Sequence, residues 1–149
     1  MNSIWFPHVT VAAICERNGQ FLMVEEHSKS NDKIVLNQPA GHVEDNESIV
    51  DAVVRETLEE TCRHFTPTAL LGLYRYRISV QQTYLRYAFI GTVSEIDKNL
   101  TRDPDILDTH WLSESELRSS NNLRSSLVFN CLDDYLAGTH YPLSILKES

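Results

Sequence analysis

Several things are scarce or missing in this sequence, and each absence removes a class of explanation. Cysteine occurs three times, at Cys15, Cys62 and Cys131, with wide spacings and no C-x-x-C pair. That fits neither a disulfide framework nor a zinc site, so three reduced, partly buried thiols are expected. No apolar run approaches the roughly 20 residues that a membrane helix needs. The N-terminus carries no basic patch followed by an apolar stretch, so no signal peptide is expected and a cytoplasmic location is the default. Basic residues are outnumbered, 13 against 21 acidic ones, giving a formal charge of −8 at pH 7. Unaided nucleic-acid binding depends on Lys and Arg neutralising phosphates, and this chain is poorly equipped for it. There is also no internal repeat, low-complexity tract or long linker.

What remains is an ordinary globular composition, 42% hydrophobic and 23% charged over 149 residues. That length suits one domain, residues 1–149, around one core. An acidic protein can still bind a small polyanion if divalent cations sit between the two, so the charge balance hints at metal use.

Along the chain, residues 8–16 are β-branched and apolar. Arg17-Asn18-Gly19 is a turn signal and residues 21–26 resume as a strand, which together predict a hairpin with an Asn-Gly turn. Residues 28–33 are polar and read as a loop, and Pro39-Ala40-Gly41 breaks the pattern. A helix is predicted from Asp45 or Asn46 to about Thr61, with acidic residues in its first turn. Thr66-Pro67 stops anything helical. Residues 69–80 and 83–93 read as strands with Gln81-Gln82 as their turn. An acidic loop, 103–108, leads into a short strand ending at Trp111-Leu112. Ser113-Glu114-Ser115-Glu116 has the form of a capping box. A last helix spans 125–137 and ends at Gly138. This order predicts an α/β (α+β) sandwich with a mixed sheet between helices.

On the first helix, Val50, Val53, Val54, Thr57 and Thr61 form a stripe expected to face the core. Glu56, Glu59 and Glu60, at i, i+3 and i+4, are expected on another face with Arg55 beside them. Three such carboxylates repel one another, and a divalent cation would reverse that; magnesium takes oxygen ligands and keeps several waters. Taken alone, though, three glutamates on a helix are equally a solvated surface.

Their register with earlier residues decides between the two. Gly41 is followed by five residues and Glu47, and seven more residues lead to Arg55-Glu56, then Thr57-Leu58-Glu59-Glu60. This resembles the signature of the Nudix hydrolases, G-x5-E-x7-R-E-U-x-E-E-x-G-U, where U is a bulky aliphatic residue. All six of Gly41, Glu47, Arg55, Glu56, Glu59 and Glu60 are in place. Thr57, Cys62 and Arg63 depart from the pattern. Cys62 replaces a glycine that normally ends the helix in a left-handed conformation, so a strained or differently shaped exit is expected. The flanking segments Trp5 with Pro7-His8-Val9-Thr10-Val11, Asn37 to His42, Asn121 to Ser125, and Tyr141-Pro142-Leu143 resemble a phosphatase branch of the family.

The resemblance implies a Nudix-type α/β/α sandwich and hydrolysis of phosphoanhydride bonds with Mg²⁺, or Mn²⁺ as an alternative. It implies Glu56, Glu59 and Glu60 as metal carboxylates, with the Gly41 carbonyl as a further ligand. Arg55 would hold these carboxylates in place by charge-assisted hydrogen bonds that involve Glu47. Glu59 is a candidate base, and Asp105 another, although Asp105 also reads as a solvated loop residue. Arg86 would bind a terminal phosphate, unless it is a strand-surface arginine. Trp5, Tyr74, Tyr76 and Tyr87 are candidates for stacking on a base, against the simpler reading that strand aromatics pack. His8 and His42 receive no role. The branch resemblance implies phosphate release from nucleoside tri- and diphosphates and from pyrimidine pyrophosphates such as hydroxymethylpyrimidine pyrophosphate and thiamine pyrophosphate. The expected partner is a small phosphorylated substrate, with no nucleic acid or membrane, and a monomer rather than a homodimer. Competing readings are a non-catalytic nucleotide-binding module of the same fold, and an enzyme acting on RNA ends or other nucleoside diphosphate derivatives.

Overall fold

The computed structural model describes residues 3–149. Its centre is strand β1 (His8–Ile14), in which Val11, Ala12 and Ala13 are wholly buried. A continuous apolar run of this kind needs cover on both faces and neighbours on both edges. Strand β1 therefore pairs parallel with β7 (Thr83–Val93) and antiparallel with β5 (Ala40–His42). Strand β6 (Phe65–Arg77) completes a mixed four-stranded sheet in the order β5-β1-β7-β6. A second sheet is antiparallel: β3 (Gln20–His27) pairs with β2 (Glu16–Arg17), β4 (Ile34–Asn37) and β8 (Ile106–Ser113).

The expected hairpin is thus only the β2–β3 tip. Asn18 and Gly19 both have positive φ, as a primed two-residue turn requires. Beyond Cys15 the chain crosses to the other sheet, because a one-sided hairpin would expose half of the β1 apolar run.

Helix α1 (Ile49–Thr61) covers one face, with Ala52 and Val53 packed on Val11, Ala13, Leu70 and Phe89. Helices α2 (Glu114–Ser119) and α3 (Ser126–Leu136) cover the other, where Leu117, Val128, Cys131 and Leu132 meet Ala12, Ile14, Leu71 and Ala88. Each fully buried aliphatic side chain contributes roughly 1.5–3 kcal/mol. The capping box at Ser113 and Glu116 is formed, and Ser125 caps α3. No helix among the described residues is long and apolar enough to cross a membrane.

Helix α1 starts later than its acidic residues suggest. Asn46 is left-handed at φ 63°, which is incompatible with a helical first turn, and Ser48 is the N-cap, accepting a hydrogen bond from Asp51 N. Thr66-Pro67 lies inside β6 instead of acting as a break. Proline is tolerated there because β6 is an edge strand with a register shift between Pro67 and Ala69. The β6–β7 turn is longer than Gln81-Gln82 and is closed by Ile78 N donating to Gln82 O.

At the other end of α1, Cys62 adopts the left-handed conformation (φ 57°) that glycine takes in the signature, and its N–H donates to Leu58 O. The exit keeps its shape, and a non-glycine residue carries the conformational cost, roughly 1–2 kcal/mol. The Cys62 side chain is buried, which offsets part of that cost. Arg63 is buried too, with its guanidinium over the Trp111 ring and one amino group donating to Ser94 O. All three cysteines are free and buried. A β-branched residue fits a positive φ least well. Cys62→Val is expected to unfold at lower denaturant than Cys62→Gly, by about 1–2 kcal/mol, in equilibrium urea titrations.

Candidate active site

Arg55 is where the signature residues meet. Its Nε and Nη2 donate to the two oxygens of Glu47 at 3.0 and 2.7 Å, a paired fork. Its Nη1 donates to Glu56 Oε1 at 2.9 Å and to Glu59 Oε2 at 3.2 Å, and Nη2 also donates to the His42 carbonyl at 3.0 Å. Glu44 stands 3.5 Å from Nη1. Helix periodicity places Arg55 one turn before Glu59. The loop before α1 brings Glu47 back, and Glu47 Oε1 accepts from Glu44 N to fix that loop. The Glu47 fork, first among several carboxylate contacts, raises the proton affinity of Arg55. Arg55 in turn holds the Glu47 carboxyl below its ordinary pKa.

The three signature carboxylates do not share one environment. Glu59 is half-exposed, whereas Glu56 is largely covered and burial raises its pKa. Glu60 departs from expectation: it lies on the buried side of the helix, 7% exposed, with Oε1 accepting from Ala40 N at 2.9 Å. Burial, with the nearby charges of Glu26, Glu56 and Asp103, pushes its pKa up to about 9, against the opposing pull of the Ala40 N–H. The signal was present in the sequence, since Glu60 follows Val53 by seven residues and Thr57 by three, within the core stripe. Glu26 and Asp103 carried no local signal. They reach the site through β3 and through the 97–105 loop, which is anchored by Asp103 N donating to Glu59 O at 2.8 Å.

Gly41 is explained by proximity. A Cβ there would stand 2.1 Å from Glu56 Cδ, so only glycine lets the strand and this carboxylate lie together. The expected role of the Gly41 carbonyl needs correction. Val43 N bonds Val9 O and Ala13 N bonds Pro39 O, so the Val11–Gly41 pair between them is a hydrogen-bonded pair of the antiparallel ladder. The Gly41 carbonyl is therefore turned into the sheet. Ala40 has its N–H at the free edge, on Glu60, and its carbonyl lies along that same edge.

The remaining candidates are scattered. Asp105 is exposed, its N–H donates to Asp103 Oδ1, and it lines an open cleft of about 530 Å³ with Glu26, Pro104 and the 27–32 loop. Arg86 is neither on the strand surface nor free: it is 5% exposed and donates to Gln38 Oε1 and Asn37 Oδ1. Its expected fork toward a phosphate is already engaged by these two amides. Trp5 is exposed on the N-terminal segment. Tyr87 packs with the apolar cluster under α1, and Tyr74 donates to Asp134 Oδ2. Tyr76 is half-buried opposite Tyr84. His8 and His42 were given no role, yet their rings meet beside the site, with His8 Nδ1 3.2 Å from His42 Nε2. Burial, then His8, Lys29 and Arg124, lower the proton affinity of His42.

A sandwich of helices on a mixed sheet, with a loop-strand-helix unit that gathers carboxylates around one arginine, defines a class of phosphoanhydride hydrolases. The NUDIX domain model matches residues 6–129, and the chain belongs to the Nudix family. It is 36% identical over 142 residues to phosphatase NudJ of Escherichia coli K12, a match spanning 95% of this chain and 92% of that protein. A Nudix hydrolase from Nitrosomonas europaea is 43% identical and superposes with a TM-score of 0.91, covering 97% of this chain and 98% of its own. A MutT Nudix hydrolase from Burkholderia pseudomallei, 18% identical with a TM-score of 0.74 over 87% of this chain and 98% of its own, shares the fold. The chain is thus an enzyme of the pyrophosphohydrolase and phosphatase type.

Two outcomes follow from this geometry. Gly41→Ala is expected to displace Glu56 and lower kcat/KM by about a hundredfold, measured against circular dichroism to confirm the fold. For Glu60, the folded pKa of about 9 exceeds the ordinary 4.5, so the folded state holds the extra proton. Its stabilising effect is complete below 4.5 and fades as pH rises through 9. In EDTA, the Tm of Glu60→Gln is expected to gain progressively on that of wild type across this interval.

Proposed function

We propose that this protein is a magnesium-dependent hydrolase that releases phosphate from nucleoside tri- and diphosphates and from pyrimidine pyrophosphates, with hydroxymethylpyrimidine pyrophosphate and thiamine pyrophosphate as leading substrates. The observation that carries this reading is the excess of carboxylate oxygen along α1: Glu47, Glu56 and Glu59 share Arg55, and Glu60 lies buried on Ala40 N with the charges of Glu26, Glu56 and Asp103 nearby. Such a donor set suits a hard divalent cation. No three His, Cys, Asp or Glu side chains form a closed cage among the described residues. Magnesium requires none, since it is commonly held by one or two carboxylates with waters and substrate phosphates. Glu56, Glu59, Glu60 and the Ala40 carbonyl are the groups that would hold it, with Mn²⁺ as an alternative. When bound, the cation supplies neutralisation of phosphoryl charge and a more acidic water.

The chain's own residues supply the rest. Arg55 fixes Glu56 and Glu59 in orientation, and Glu47 fixes Arg55. Glu59 is the favoured proton acceptor because it is half-exposed and held by Arg55, whereas Asp105, on the cleft wall, is the second candidate. Arg86 acts by bracing Asn37 and Gln38 just before the β5 edge. In this reading residues 1–149 are one catalytic domain, working as a monomer in the cytoplasm on a small phosphorylated substrate. The formal charge of −8 counts against RNA as substrate.

A panel of nucleoside triphosphates, nucleoside diphosphates, sugar nucleotides and thiamine pyrophosphate tests the reading, with inorganic phosphate and pyrophosphate measured separately. Mg²⁺-dependent phosphate release is expected, falling by at least about a hundredfold in Glu59→Gln while the fold survives. Near wild-type turnover in Glu59→Gln and Glu56→Gln would overturn it.

A further inference from the structure

We propose that His42, His8 and Tyr84 form a platform for the heteroaromatic ring of the substrate; this rests on the hydrolase reading above and assigns a binding site to residues outside the carboxylate cluster. The register puts them in one row on one face of the mixed sheet. Tyr84 is the parallel neighbour of His8, and Thr10, two residues from His8, is opposite His42. Tyr76 extends the row on β6 as the partner of Tyr84. His8 and Tyr84 stack at 4.9 Å between centroids with planes 21° apart, and His42 meets His8 edge-on at 5.3 Å. Both histidines are exposed and Tyr84 is half-buried, so the row is an open aromatic surface rather than core.

Three observations connect this surface to the reaction site. His42 follows Gly41 directly, and its carbonyl accepts from the same Arg55 that holds the carboxylates. Arg86 lies one step along the same face, beside Thr10, and after burial and His8 the charges of Lys29 and Arg124 also disfavour protonated His42, Arg124 being paired with Glu26. Arg86 is buried and its guanidinium is held by Gln38 and Asn37, so it contributes charge to this face and not a free fork of donors. A ligand that joins an aromatic ring to phosphates matches this pairing of surface and charge.

The histidine pair adds directional recognition. One nitrogen from each ring is used in the 3.2 Å contact, so in the neutral pair one ring donates and the other accepts. The tautomer choice then leaves one free donor and one free acceptor, whichever way the shared proton lies. An amino-substituted nitrogen heterocycle, such as cytosine or adenine, carries the complementary acceptor and donor on one edge. Stacking on an aromatic side chain tolerates many rings, which makes the platform a general anchor for such bases.

The test compares cytidine diphosphate with ribose 5-diphosphate, which lacks the ring, in steady-state assays with Mg²⁺. Wild type is expected to show a KM at least about tenfold lower for the nucleotide. His8→Ala and Tyr84→Ala are expected to bring the KM ratio close to one, and Tyr84→Phe to retain it. A wild-type ratio near one, or alanine variants that lose activity on both substrates while keeping the ratio, would overturn the platform. If wild type hydrolyses neither substrate, nucleoside diphosphates drop out of the proposed substrate range, and the platform is judged by calorimetry with cytidine 5′-monophosphate in EDTA. There, binding to wild type that weakens about tenfold in Tyr84→Ala supports it, and no binding to wild type overturns it.

Discussion

The site depends on one cation. Arg55 is the sole basic side chain bonded to Glu47, Glu56 and Glu59 among the described residues, and it also holds the carbonyl of His42. Without it, Glu44 and Glu47 on the loop and Glu56 and Glu59 on the helix would repel one another, at an energy that grows as they are desolvated. Its planar fork explains why lysine is a poor substitute: a single ammonium group cannot present paired donors to Glu47 and still reach two further carboxylates and a carbonyl. The loop, the helix and strand β5 are thereby joined at one guanidinium, which makes the local fold and the chemistry inseparable.

Around that cation the protein assigns different states to chemically identical residues. Glu47 is kept ionised by its fork with Arg55, Glu59 stays in contact with solvent, and Glu60 is driven toward neutrality against the sheet. The contrast between Glu59 and Glu60 arises from position on the helix. Glu59 projects toward water, and Glu60, one residue on, falls within the stripe that packs on the sheet.

Much of this was legible in the sequence because it is local. The spacing of Gly41, Glu47, Arg55, Glu56 and Glu59 marked residues that the fold brings together, and the Ser113 capping box and the Asn-Gly turn were read from short-range rules. Misreadings came where local cues competed with tertiary ones. Acidic residues near Asn46 suggested a helix start, but its left-handed backbone delays the helix to Ser48. The Gly41 carbonyl was assigned without knowing which strand residues face the ladder. Arg86 and the His8–His42–Tyr84 row depend on strand neighbours distant in the chain, which no periodicity reveals. Glu26 and Asp103 come to Glu60 for the same reason.

Strand β5 has a consequence beyond chemistry. It is the outer strand of its sheet, and an outer strand offers unpaired backbone groups to any passing chain. Here Ala40 N is taken by Glu60, and the His42 carbonyl is taken by Arg55. The side chains that build the reaction site also plug this edge against strand addition. Variants that remove them therefore risk self-association, so loss of activity in such variants should be read together with their aggregation state.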